Sequence, residues 1–127
     1  PLILMFKPLN RASHPQVSVI VATYNSSRTL RYTLAAILQQ TFTDFELLVI
    51  GDACTDNSSE VVTQIPDSRI QWINLEQRIG SQSGPNNEGL RRARGKYIAF
   101  CWHDALWFTY YLERLVQDLE MHELDLY

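Results

Sequence analysis

With 127 residues, 46% of them hydrophobic, the chain can bury one core but not two, which excludes a disordered or fibrous protein. The 11 Lys plus Arg against 14 Asp plus Glu leave no charge excess suited to nucleic acid or an anionic membrane, so any phosphate recognition must be local. No apolar run approaches the ~20 residues that span a bilayer, and Pro1 to Phe6 is too short for a signal-peptide core.

Residues 1–16 show neither helical nor alternating period and read as a leader packed loosely on the domain. Val17–Ala22 is a near-continuous β-branched run, the pattern of a strand buried on both faces of a parallel sheet. It breaks into Thr23, Tyr24 and Asn25, after which Ser26 or Ser27 is placed to cap a helix with Leu30, Leu34, Ile37 and Leu38 on one face. Phe45–Ile50 is a second buried strand, followed by a loop, Gly51 to Ser58, dense in turn and capping residues. A helix over Ser59–Ile65 is closed by Pro66.

A third strand is expected over Ile70–Leu75, then a flexible loop over Glu76–Pro85 with Gly80 and Gly84, then a helix over Asn86–Arg94 ended by Gly95. Tyr97–Trp102 is the fourth strand, and Leu112, Leu115, Val116 and Leu119 mark the apolar stripe of a last helix. Alternating strands and helices imply right-handed crossovers and a parallel sheet covered on both faces. All strand-to-helix loops then leave one edge, where Thr23 to Asn25, Gly51 to Asp56 and His103 to Asp104 converge on a polar cleft. Taken alone, Asp104 would cap the following helix and His103 would be a satisfied edge residue. The convergence is what raises a binding site above turn chemistry. Cys54 and Cys101 show no metal or redox spacing and read as free thiols of a reducing cytoplasm, with a disulfide between them as the minor alternative.

The order Val17 to Asn25, Phe45 to Asp52, and Gly89 with Arg94 to Phe100 resembles the nucleotide-sugar-binding half of family 2 glycosyltransferases. The resemblance covers about Val17 to Leu115. It implies a Rossmann-like (GT-A) three-layer α/β/α fold with a mainly parallel sheet. It also divides the chain into a leader, 1–16, and a nucleotide-sugar-binding part, 17–127, truncated after the helix that follows the family's DxD region.

By the same resemblance, Thr23 and Tyr24 cradle the nucleobase, Asn25 fixes the turn, and Asp52 accepts a hydrogen bond from the base, commonly the imide of uracil. Asp56 matches a further acid of that loop and is expected to cap the next helix instead of touching ligand. Asn87 and Gly89 lie where the family lines the diphosphate and sugar. The DxD motif falls on Trp102, His103 and Asp104, which makes Asp104 the expected metal ligand. His103 is expected to orient or support its surroundings more than to ligate, although Mn²⁺ would accept its imidazole better than Mg²⁺. A divalent cation, Mn²⁺ or Mg²⁺, is implied because it offsets the charge of a departing nucleoside diphosphate and needs few protein ligands.

The implied reaction is transfer of a sugar from a nucleotide-diphosphate donor, expected to be a UDP-sugar, to an acceptor hydroxyl with inversion. The acceptor, a glycan, lipid or protein, is not readable. This sequence departs from the family pattern in having Trp102 for the first acid of DxD, Ala105 for a following acid, Gly51 for the first of a frequent Asp pair, and Pro85 near a frequent Arg. A single carboxylate is left at the metal position. Trp102 and Ala105 motivate the alternative of a degenerate, non-catalytic module that binds nucleotide or protein. The chain starts at Pro instead of Met, so an excerpt or processed product is expected, with the general base beyond Tyr127. Glu113, Glu120 and Glu123 read as a solvated helix face. Exposed surface left by such an excerpt leads to an expectation of homo-oligomers formed through the C-terminal helix or the sheet edge.

Overall fold

The computed structural model describes residues 3–5 and 14–122. Its elements run β1 (Ile3–Met5), β2 (Val17–Thr23), α1 (Ser27–Leu38), β3 (Phe45–Gly51), α2 (Ser58–Thr63), β4 (Ile70–Asn74), α3 (Ser83–Arg92), β5 (Tyr97–Trp102) and α4 (Tyr111–His122). The sheet order is β1-β5-β2-β3-β4. β2, β3, β4 and β5 are parallel, and β1 is antiparallel on β5, with Ile3 opposite Ala99.

The two central strands, β2 and β3, are buried at every position, which is why they read as continuous apolar runs and not as alternating ones. Alternation still sorts their side chains between two cores. Val19, Val21, Leu47, Val49, Ala99 and Cys101 join Leu30, Leu34 and Ile37 of α1, Val62 of α2 and Leu112, Leu115 and Leu119 of α4 on one face. Ile20, Leu48, Ile50 and Ile98 form the smaller core of the other face, with Leu90 of α3 against it. The result is the three-layer α/β/α architecture expected, with three helices on one side of the sheet and one on the other.

Several element bounds depart from expectation: α2 runs Ser58–Thr63 instead of Ser59–Ile65, β4 stops at Asn74 instead of Leu75, and α3 stops at Arg92 instead of Arg94. The leader contributes a short edge strand, β1. α3 begins at Ser83 instead of Asn86, so Gly84 and Pro85 lie inside its first turn, where an N–H has no intrahelical partner and a proline costs nothing. Gly89 is what lets α3 lie close to the sheet. A Cβ there would stand 2.6 Å from Ile20 Cγ2.

The lower edge, where the strands begin, is closed by a buried carboxylate. Glu46, 3% exposed, accepts hydrogen bonds from Ser18 Oγ at 2.6 Å, Arg94 N at 2.7 Å and Arg94 Nε at 2.9 Å. Ser18 Oγ in turn accepts from Gly95 N at 2.8 Å. The turn from α3 into β5 is thereby fixed.

Candidate functional site

The upper edge, where β2, β3 and β5 end, is built from three loops that hold one another. Asn25 sits at φ 45° and Ala53 at φ 57°, both in the left-handed region that side chains seldom occupy. Asn25 Oδ1 accepts from Thr55 N at 2.8 Å and Asp56 N at 3.2 Å, and its Nδ2 donates to Thr55 Oγ1 at 3.3 Å. It therefore stitches the loop after β2 to the loop after β3. Asn74 does the same from β4, accepting from Cys54 N at 2.8 Å and donating to Cys54 O at 3.0 Å.

Asp56 caps two helices. Its Oδ1 accepts from Ser58 N at 3.0 Å and its Oδ2 from Ser27 N at 3.1 Å. Burial pushes its carboxyl up, but the bonds from Ser58 and Ser27 outweigh that and hold it below the usual carboxylate range. The serine cap expected for α1 is not formed. Ser26 Oγ donates instead to Tyr24 O at 2.8 Å, and the acid of a distant loop takes the helix's first amide.

Gly51 ends β3 where no side chain fits. A Cβ there would lie 2.5 Å from Asn74 Oδ1 and 2.6 Å from Trp72 Cη2. The place of a second acid beside Asp52 is thus filled from β4. Asp52 itself is 4% exposed and grips the loop after β4, accepting from Ile79 N at 2.7 Å and Gly80 N at 2.8 Å. That grip brings Arg78 over the Tyr24 ring, its guanidinium carbon 4.0 Å from the centroid.

A hollow of about 160 Å³ is lined by Thr23, Tyr24, Asp52, Arg78, Pro85 and His103, among others. It opens beside a second hollow lined by Asn25, Ser27, Asp56, His103 and Asp104. His103 belongs to both. The first is smaller than the ~300–1,000 Å³ of a typical small-molecule site, so a long ligand starting in it would run on past His103. Two buried polar atoms of the first hollow, Thr23 Oγ1 and His103 Nδ1, have no hydrogen-bond partner among the described residues. Buried polar atoms left unpaired are uncommon and costly. His103 and Asp104 occupy the middle of a turn closed by Ala105 N donating to Trp102 O at 3.1 Å, and Thr33 Oγ1 holds the turn by donating to His103 O at 3.0 Å.

The structure therefore brings together Thr23, Tyr24, Asn25, Asp52, His103 and Asp104 and leaves two expected residues apart. Asn87 is exposed on α3 and lines neither hollow, and Gly89 is spent on packing against Ile20. Arg78 escaped the sequence reading. Its only signal was a lone basic residue in a loop otherwise free of cations between Asp67-Arg69 and Arg91. Glu113 accepts from Thr41 Oγ1 at 3.2 Å, and Glu120 from Tyr97 Oη at 2.6 Å and from Lys96 Nζ. Both are tied into the scaffold, and Glu123 lies outside the described residues. Cys54 and Cys101 carry free thiols, and burial pushes Cys101 up to about 12.

Among the described residues, no three of His, Cys, Asp and Glu cluster as a metal site. Of the carboxylates and the imidazole lining the second hollow, Asp56 already accepts from two backbone amides, which leaves the exposed Asp104 carboxylate and the half-buried His103 ring. That set fits a cation which draws most of its ligands from diphosphate and water; it does not fit one held by protein alone. Also among the described residues, no helix is long and apolar enough to cross a membrane.

Comparison with known proteins agrees with this geometry. The family model described as glycosyl transferase family 2 matches residues 18–127. An Escherichia coli UDP-Glc:alpha-D-GlcNAc-diphosphoundecaprenol beta-1,3-glucosyltransferase, WfgD, is 36% identical over 97 residues, covering 76% of this chain and 38% of its own. Staphylococcus aureus TarS 1-349, in complex with UDP-GlcNAc, superposes with a TM-score of 0.81 at 27% identity, over 85% of this chain and 32% of that one. The mannosyltransferase PcManGT from Pyrobaculum calidifontis, in complex with GDP-Man and Mn²⁺, superposes with a TM-score of 0.68 at 30% identity, over 80% and 32%. The chain thus spans about two fifths of the length of the curated relatives it matches.

Proposed function

The chain belongs to glycosyl transferase family 2, and we propose that residues 17–127 are the nucleotide-sugar-binding part of an enzyme that transfers a sugar from a nucleotide-diphosphate donor to an acceptor hydroxyl with inversion. One observation carries this reading: the loops after β2, β3 and β5 place Thr23, Tyr24, Asp52, His103 and Asp104 around two adjoining hollows at the carboxyl edge of a parallel sheet. The donor is a UDP-sugar. Its base sits in the first hollow with Thr23, Tyr24 and Asp52, and its diphosphate passes His103 to reach Asp104. The UDP-sugar named for WfgD and the UDP-GlcNAc bound by TarS support that choice.

Asp104, with His103 beside it, would hold a divalent cation, Mn²⁺ or Mg²⁺, as the Mn²⁺ with PcManGT supports. When bound, that cation offsets the charge of the departing diphosphate. The chain's own contributions are to bury the base, orient the diphosphate along the edge and, through Asp52, keep Arg78 over Tyr24. The acceptor is a glycan, lipid or protein outside this part, and the general base belongs to no carboxylate described here. The free thiols fit a cytoplasmic site of action.

Titration calorimetry with UDP, with and without Mn²⁺, tests the reading. UDP is expected to bind, more tightly with Mn²⁺, and Asp104→Ala is expected to remove the Mn²⁺ dependence. Absence of UDP binding would overturn the donor site, and Mn²⁺ dependence that survives in Asp104→Ala would overturn the cation ligand. A second reading, a module that binds nucleotide without transfer, is favoured by one feature, Trp102 in the place of the motif's first acid. It predicts UDP binding with no Mn²⁺ effect at all.

A further inference from the structure

Trp102 ends β5 with 57% of its surface exposed, although the run that leads to it, Tyr97 to Ala99 and then Cys101, is buried. Burial of the sheet therefore does not account for an indole at this position, and an exposed tryptophan one residue before His103, which lines both hollows, is a large apolar body awaiting a partner. Its place in the sheet says what that partner is. By the two-residue alternation of a strand, Trp102 shares a face with Ile98 and Phe100, the α3 side of the sheet. Its register partner on β2 is Ala22, which lines the first hollow.

On the opposite side of β5, the edge strand β1 pairs with Tyr97, Ile98 and Ala99 only. Trp102 lies beyond the described positions that pair with β1, and its side chain is exposed. A donor laid out as proposed starts at β3 with Asp52, crosses β2 at Thr23 and Tyr24 and reaches β5 at His103 and Asp104. The group beyond its second phosphate then arrives at the carboxyl end of β5, where Trp102 is exposed.

Resting on that reading of the donor site, we infer that Trp102 is the platform for the donor's sugar, its indole stacking on the apolar C–H face of the pyranose ring. A pyranose turns hydroxyls outward around its rim and a patch of C–H bonds to one face. A flat, exposed indole matches the second while leaving the first to water. A carboxylate at position 102 could serve a cation or a hydroxyl but not that face.

The test compares UDP with UDP-GlcNAc and UDP-Glc on the intact chain by calorimetry, for wild type, Trp102→Ala and Trp102→Phe. Trp102→Ala is expected to weaken both UDP-sugars about tenfold while UDP stays within twofold, and Trp102→Phe is expected to recover most of the loss. The Trp102 indole N–H resonance, assigned by its disappearance in Trp102→Phe, is expected to move with UDP-GlcNAc and not with UDP. Equal losses for UDP and the UDP-sugars, or no loss for either, would overturn the platform while leaving the nucleotide site standing. Failure of the wild type to bind UDP would instead take away the donor site and the platform with it.

Discussion

The carboxylate of Asp56 reaches from the loop after β3 to the first amide of α1, Ser27 N, at 3.1 Å, while its other oxygen holds Ser58 N at 3.0 Å. One side chain thus caps two helices that begin on the same edge of the sheet, and it sets the spacing of the two loops between which the second hollow lies. Each helix otherwise has an unpaired first turn, since neither Ser26 nor Asn57 bonds it with a side chain.

Replacing Asp56 by Ala is therefore expected to cost about 2 kcal/mol, the upper end for a single cap because two helix starts are released. The acid limb of stability carries the same signature. The folded-state carboxyl is held below its ordinary value, so its contribution is complete above the unfolded pKa of ~3.9 and fades as pH falls through the lower folded value. Urea midpoints measured from pH 7 down to pH 2.5 should show a shallower decline in Asp56→Asn than in wild type below about pH 4. Parallel declines would show that Asp56 does not supply that term.

At the opposite edge, Glu46 makes a separable prediction. Its carboxylate is buried and accepts from Ser18 Oγ, Arg94 N and Arg94 Nε, whereas the Arg94 side chain is half exposed. Losing Glu46 strands buried donors, but losing the guanidinium leaves a carboxylate still bonded by Ser18 and the Arg94 amide. Glu46→Ala should cost about 3 kcal/mol and Arg94→Ala about 1 kcal/mol, because unpaired buried groups weigh more than a pair open to water. Chemical denaturation measures both. Neither change should alter UDP affinity in the folded chain, since the network lies at the far end of the strands.

The sheet was written in the sequence to a degree that the site was not. β5 begins and ends where its apolar run does, at Tyr97 and Trp102, and β2 and β3 each extend only one residue past theirs, because burial on both faces demands an unbroken run. β1 escaped because three residues at an edge are too few to show a period. The start of α3 was missed because Gly84 and Pro85 look like loop residues unless they are known to occupy a first turn. Within the site, the strand ends announced Thr23, Asp52 and Asp104, whose positions follow from the runs before them. The cap from Asp56 to Ser27 and the stacking of Arg78 on Tyr24 join residues 29 and 54 positions apart. Contacts of that kind depend on tertiary closeness, for which local spacing has no sign.

Asp52 shows how far that hidden layer bears on function. Its two oxygens take Ile79 N at 2.7 Å and Gly80 N at 2.8 Å, so it latches the loop that carries Arg78 onto Tyr24. Hydrogen bonds to an ionised acceptor are worth ~1.5–3 kcal/mol each. Asp52→Ala should then free this loop, raising amide exchange at Ile79 and Gly80 at least about tenfold, which corresponds to ~1.4 kcal/mol. Asp52→Asn keeps one acceptor and turns an N–H₂ group toward the second amide, so its exchange rates should fall between wild type and Ala. UDP affinity should drop in the same order, because the wall of the first hollow loosens with the latch. Arg78→Ala separates the two roles: it leaves the latch bonded and should weaken UDP without speeding exchange at Gly80. Should Asp52→Ala abolish UDP binding while exchange at Ile79 and Gly80 stays at the wild-type rate, Asp52 would act on the base directly and the latch would have no part in binding.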